Sequence, residues 1–287
     1  MEKQKIRVTG VPEHFNLPWL LAIEDGAFAD ADLDIEWVDE PGGTGAMSKA
    51  LYHKEVDVAL LLTEGAITSL LSGNRAKIHS LYVESPLVWG VFSGVENELP
   101  LEKKKQGPFA ISRFYSGSHL MAYVYADREN REVSKDEFNV VGGIDGARET
   151  LAKEPEHLFL WEKYITLPFV EKGEFQLVDE CESPWPSFVA VVCDDVLDEK
   201  KDAIERMMDI VRDYARDLQF SGEEGAELIA HIYDMSENDA TQWLQQVRFA
   251  KDVKVDVSML GQVAEKLHEL GILDHRPSVE ELKSILA

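Results

Sequence analysis

PGGTGAMSKALYHKEVDVALLLTEG, residues 41–65, decides the fold. Pro41-Gly42-Gly43 is turn chemistry, Thr44 is a candidate N-cap, and a helix from Gly45 to about His53 follows. Val56–Leu62 is then a continuous apolar run of the kind found in parallel strands covered on both faces. A further helix from Ala66 to Leu71 closes at Gly73. Upstream, Ile6–Val8 is a short strand, Trp19 to Gly26 has helical spacing with a glycine stop, and Leu33–Val38 alternates as a half-buried strand. The order βαβαβα with short connections requires right-handed crossovers and a mostly parallel sheet. In such sheets ligands are met at the carboxyl ends of strands, which marks residues 12–19, 41–44 and 63–65.

The same grammar restarts downstream. Ile78–Phe92 reads as a strand or strand pair broken at Pro86, and the polar stretch Glu96–Gly107, with Lys103-Lys104-Lys105, reads as a crossing into a second lobe. Strands at Phe109–Ser112 and Phe138–Val141 alternate with helices at Ser118–Asn130 and Asp145–Lys153. Leu158–Trp161, Phe175–Val178 and Phe188–Cys193 are further strands, and the chain is helical over 199–220, 222–233, 236–246, 257–270 and 278–286. The expectation is a discontinuous first lobe of residues 1–93 and 190–287, a second lobe of 94–189, and a cleft between them.

Composition narrows the partners. A net charge of −25, from 54 acidic against 29 basic residues, opposes nucleic-acid binding, which needs clustered Lys and Arg. No stretch of about 18 apolar residues is present, so no membrane insertion is expected. Residues 1–10 lack the apolar segment of a secretory signal, which implies a cytoplasmic protein, or a periplasmic one if a signal has been removed. Cys181 and Cys193 are too few for a disulfide framework and read as free thiols.

EHFNLPWLLAIEDGAF (13–28), followed by the stretch quoted first, resembles the substrate-binding components of nitrate, sulfonate and thiamine-precursor transporters. HLFLWEKYITLPFVEKGEF (157–175) and SPWPSF (183–188) more closely resemble a subfamily of such folds from fungi and bacteria that lack export signals. The resemblance covers most of the chain. It implies an α/β, two-lobed type II periplasmic-binding-protein fold with a central cleft and mostly parallel sheets, a small-molecule ligand, and a transporter permease as a partner; no cofactor is expected. Transporter components usually carry a secretion signal and often a lipid-attachment cysteine, and this chain shows neither pattern.

The candidate ligand-binding residues lie after strands. His14 and Asn16 are placed to hydrogen-bond a ligand and Phe15 and Trp19 to wall it, against the alternative that Trp19 is core and Asn16 a helix cap. Gly43 and Thr44 open a helix whose free N–H groups suit an anionic or carbonyl group, or form a capping turn only. Ser116, Ser118 and His119 repeat that feature in the second lobe, with Arg113 as the nearest fixed positive charge or else a surface ion pair. Trp161 and Trp185 offer stacking walls, and Glu64 and Glu162 acceptors, against plain packing and solvation.

No HExxH, GxSxG or CxxC pattern occurs, and the eight histidines lack ligand spacing, so neither a metal site nor a catalytic set is expected. The leading function is binding of an anionic or heteroaromatic metabolite between closing lobes. The alternative is a cytoplasmic enzyme on the same fold, a lyase or a pyrimidine-precursor synthase, since fold does not decide function. A regulatory protein that senses a metabolite and presents the acidic helical region 199–287 is a third possibility.

Overall fold

The computed structural model describes residues 3–287. They form two compact units, the first taking the chain up to Ser85, Trp185–Ile229 and Thr241–Ala287, the second Pro86–Pro184 and Ala230–Ala240. The first unit begins β1 (Gln4–Gly10), a 3-10 turn at His14–Asn16, α1 (Leu17–Glu24), α2 (Ala27–Asp30), β2 (Leu33–Asp39), α3 (Gly43–Tyr52), β3 (Val58–Leu62), α4 (Thr63–Leu71) and β4 (Ala76–Val83). The second contains β5 (Val88–Gly94), α5 (Leu101–Lys104), β6 (Phe109–Ile111), α6 (Gly117–Arg128), β7 (Phe138–Val140), α7 (Ile144–Lys153), β8 (Leu158–Glu162), α8 (Lys163–Glu171) and β9 (Phe175–Glu182). The chain returns with β10 (Phe188–Cys193) and α9 (Asp194–Gln219), then α10 (Gly222–Tyr233), α11 (Glu237–Gln246), α12 (Val257–Glu269) and α13 (Val279–Ser284).

Each unit is built on a five-stranded sheet, ordered β2-β1-β3-β10-β4 in the first and β7-β6-β8-β5-β9 in the second. Four strands of each sheet run parallel, and the fifth, β10 or β5, runs antiparallel to both its neighbours. The antiparallel strand is in each case the first strand after the chain enters that unit. The central strands β3 and β10 are buried almost throughout, as their apolar runs require, whereas the edge strand β2 alternates buried and exposed positions. The acid inside the VDVAL run is explained by β1: the Asp57 carboxylate accepts the Arg7 backbone N–H at 2.8 Å and its guanidinium at 2.6 Å. A buried carboxylate is tolerable only when so paired. The core of the second unit is Phe92, Ala110, Ala147, Leu151, Phe159 and Phe175, carried by β5, β6, β8, β9 and α7.

Several local expectations change. Thr44 is not the N-cap of α3; Gly42 is, and the Thr44 hydroxyl instead accepts the N–H of Leu62 at 3.1 Å, tying α3 to the end of β3. Gly65 permits this approach, since a Cβ there would sit 2.3 Å from the Thr44 methyl. Glu96–Gly107 lies wholly within the second unit and contains α5, and the chain passes between units at Ser85/Pro86. The helix α8 is absent from the sequence expectation because Pro168 falls inside it, a residue that normally argues against a helix. The long helix begins at Asp194 rather than Glu199 and kinks at Lys200. Cys181 and Cys193 are free and buried, in β9 and β10, and burial pushes both thiols up to about 11. Among the described residues no helix is long and apolar enough to cross a membrane.

Candidate functional site

In the first unit the carboxyl ends of β1 and β3 lie beside the start of the antiparallel β10, where Phe188 pairs with Leu62. This end gathers residues from distant parts of the sequence. His14 is fully buried, its ring 4.3 Å from that of Trp243 in an edge contact and 4.6 Å from that of Phe15. Burial lowers its pKa to about 3, so the imidazole is neutral at physiological pH. Phe15 packs against Phe188 and Trp243, and its carbonyl accepts the Tyr82 hydroxyl. Asn16 is buried and donates its amide to the carbonyl of Val11 at 2.7 Å. It stands at the N-cap position of α1 without a side-chain capping bond, so the amide closes the loop that precedes the helix. Trp19 has no exposed surface and packs among Phe28, Trp37 and Tyr82. It is a core residue.

Glu64 and Trp185 come together: the indole N–H donates to the Glu64 carboxylate at 2.8 Å, with both residues buried. Trp185, read from the sequence as following a strand of the second lobe, lies in the first unit. Thr63 ties the same corner, its hydroxyl donating to the carbonyl of Pro186 at 2.6 Å. Burial pushes the Glu64 carboxyl up to about 7. The same effect raises Glu13, a residue not singled out in the sequence, to about 7. Its signal was its place in the loop directly after β1. Gly43 and Thr44 stand apart from this group in role, because the Glu40 carboxylate already accepts the Gly42 N–H at 2.8 Å and its carbonyl accepts that of Gly43. An anion arriving at α3 would meet that negative charge.

The raised Glu64 gives a pH prediction. Its folded pKa of about 7 exceeds the ordinary value of 4.5, so the folded state holds the proton more tightly. Stability is therefore lost as pH rises from 4.5 to 7 and stays lost above, by roughly 3 kcal/mol. Glu64→Gln keeps an acceptor for Trp185 without the charge. The difference in Tm between Glu64→Gln and the unaltered protein should grow across that window in favour of the variant and level off above pH 7. Parallel Tm curves would sink the assignment. His14 acts with opposite sign, its contribution being lost as pH falls from 6.5 towards 3.

In the second unit the ends of β6 and β8 carry the remaining candidates. Ser116 is the N-cap of α6 and accepts the His119 N–H. Its hydroxyl lies 3.0 Å from that of Ser118, which donates to Ser112 Oγ at 3.2 Å and accepts the Ser112 N–H at 2.9 Å. All three serines are buried. If Ser116 donates to Ser118, the hydroxyl chain runs from Ser116 through Ser118 to Ser112. His119 is buried among Phe114, Tyr123 and Phe138, and burial lowers it to about 4. Its Nδ1 accepts the Tyr115 N–H at 3.1 Å, which places the imidazole proton on Nε2. Tyr115 itself has φ 64, a left-handed conformation costing a non-glycine residue about 1–2 kcal/mol.

Arg113 immediately precedes this turn. It is exposed and has no ion pair among the described residues; partial desolvation lowers its pKa without removing its charge. Trp161 is half-buried and stacks on Phe159 at 5.2 Å, at the edge of the unit's core. Glu162 is buried and caps α8, its carboxylate accepting the Ile165 N–H at 2.7 Å. Among the described residues no group of His, Cys, Asp and Glu could hold a metal ion.

The model of the Ca3427-like PBP family matches residues 89–181. No curated protein matches the chain. Among solved structures, the CA3427 gene product of Candida albicans, described as defining a new family with the generic periplasmic binding protein fold, is similar at 28% identity. It covers 99% of this chain and 96% of its own, with a TM-score of 0.90. The ligand-binding component of an ABC-type import system from Staphylococcus aureus, with zinc bound, is 14% identical over 97% of this chain and 96% of its own, at 0.75. The alkanesulfonate-binding protein SsuA from Xanthomonas axonopodis pv. citri, bound to MOPS, is 10% identical over 100% and 99%, at 0.79. The chain has the two-lobed α/β periplasmic-binding-protein fold that its sequence resembles.

Proposed function

We propose that this chain binds a small anionic metabolite, whose acidic group is taken by Arg113 and the N-terminus of α6. The observation that carries this reading is the state of Arg113. Acidic residues outnumber basic ones by 54 to 29, yet this guanidinium has no carboxylate partner among the described residues. It stands beside a helix start with buried serine hydroxyls, an arrangement suited to a carboxylate, sulfonate or phosphonate. The similar SsuA structure, an alkanesulfonate-binding protein holding MOPS, supports the ligand class. A permease partner belongs to the same proposal, supported by the similar import component from Staphylococcus aureus.

The test is a thermal-shift screen of carboxylates, sulfonates and phosphonates, with mass spectrometry of the ligand before and after incubation. A ligand at about 100 times its dissociation constant raises stability by roughly 2.7 kcal/mol. The expected result is a stabilising acid recovered unchanged. Stabilisation only by neutral or cationic compounds would overturn the reading.

One observation favours a catalytic alternative. Burial pushes Glu13 and Glu64 both up to about 7, the range suited to a general acid or base at neutral pH. Recovery of an altered ligand, with conversion lost in Glu64→Gln, would establish it.

A further inference from the structure

Five non-glycine residues have positive φ: Asp32, Lys54, Tyr115, Asn130 and Asp234. Four of them directly follow helices, Asp32 after α2, Lys54 after α3, Asn130 after α6 and Asp234 after α10. There a left-handed residue closes the last turn and satisfies its carbonyls, an ordinary stop signal. Tyr115 is a different case. It is the third residue of a turn closed by the Ser116 N–H on the Arg113 carbonyl at 3.3 Å, two positions before the first residue of α6, and it is a bulky aromatic where Gly or Asn would sit without strain.

Nothing in the core rewards this conformation. The Tyr115 side chain is exposed, at 68%, and the neighbouring Phe114 is 44% exposed. The surroundings nonetheless hold the backbone in place: the Tyr115 N–H is bound by Nδ1 of the buried His119, whose ring meets that of Tyr115 edge-on at 6.1 Å. Behind it, His119, Tyr123 and Phe138 form a continuous aromatic cluster with Phe114. A strained residue over-determined by its neighbours, presenting an aromatic ring to solvent next to an unpaired arginine, has the character of a binding contact.

We propose that Tyr115 is a specificity-determining contact: its ring stacks on a planar aromatic or heteroaromatic group of the ligand whose acidic group is held by Arg113. The inference rests on the proposed binding of an acid at Arg113, and it restricts that ligand to acids joined to a ring. Tyr115 follows Arg113 by two residues in the same turn, and its exposed ring offers a flat, large face. An aliphatic acid would use the arginine and leave the ring in water.

The experiment compares benzenesulfonate with methanesulfonate, which share the acid and differ in the ring, by calorimetric titration of the full chain. The unaltered protein is expected to bind benzenesulfonate about tenfold more tightly. Tyr115→Asn, which accepts the left-handed conformation, should bring the two affinities within about twofold and raise Tm by about 2 °C as strain is relieved. Tyr115→Phe should keep the preference. Arg113→Gln should weaken both probes. If both probes bind and both weaken in Arg113→Gln, but Tyr115→Asn leaves their ratio unchanged, the inference falls and acid binding at Arg113 stands. Equal affinity of the unaltered protein for the two probes likewise removes the role of Tyr115 and leaves the acid subsite in place. Binding of neither probe overturns both.

Discussion

Arg113→Gln should weaken binding of an acidic probe such as methanesulfonate by about 10- to 150-fold while shifting Tm by no more than about 1 °C. The affinity loss corresponds to one charge-assisted hydrogen-bonding group, roughly 1.5–3 kcal/mol. The small effect on stability follows from the side chain's exposure and its lack of an ion pair, since surface substitutions away from special features stay within about 0.5 kcal/mol. Arg113→Lys should fall between, because an ammonium keeps the charge and loses the planar fork that meets two acid oxygens at once. Calorimetric titration and thermal melting of the same three samples check both halves. A variant that melts several degrees lower would show a structural role for Arg113 instead, and one that binds as the unaltered protein does would remove the acid subsite.

The largest stability effect is expected at a residue that sequence position alone marks as a ligand wall. Trp19→Ala should destabilise the protein by about 3–5 kcal/mol, the usual cost of emptying a fully buried aromatic site, and lower Tm by roughly 5–8 °C. Trp19 has no exposed surface and is enclosed by Phe28, Trp37 and Tyr82, so no ligand is needed to account for it. Trp19→Phe should recover more than half of the loss. Equilibrium denaturation measures both, and affinity for the acidic probe should be unchanged in the fraction that remains folded. A Trp19→Ala protein of ordinary stability that fails to bind ligand would reverse the assignment.

The two residues show where local pattern stops being informative. Trp19 and Phe15 lie in one loop-to-helix segment and read alike in the sequence, as do His14 and Asn16. Their environments are made by Phe28 and Trp37 on one side and by Phe188 and Trp243 on the other. Neither the burial of His14 nor the neutrality that follows from it is encoded near position 14. Glu162 was a legible candidate as an acid after a strand, but its use as the cap of α8 was hidden, because Pro168 masks that helix. Glu13 is hidden for the converse reason: a single acid in a loop looks solvated until the protein around it removes the water.

What the sequence by itself determined was the succession of elements. The apolar runs at Val56–Leu62 and Phe188–Cys193, the alternation at Leu33–Val38 and the glycine stops at Gly26 and Gly73 are local signals, and each is realised as β3, β10, β2 or a helix end. They carry the α/β class and the largely parallel sheets, because period and capping act over a few residues. Tertiary structure alone decided that β5 and β10 each enter their sheet antiparallel, that Trp185 meets Glu64, and that Thr44 holds β3 rather than capping α3. Those outcomes depend on which distant segments exclude water from one another, and partner choice of that kind leaves no mark on the spacing of neighbouring residues.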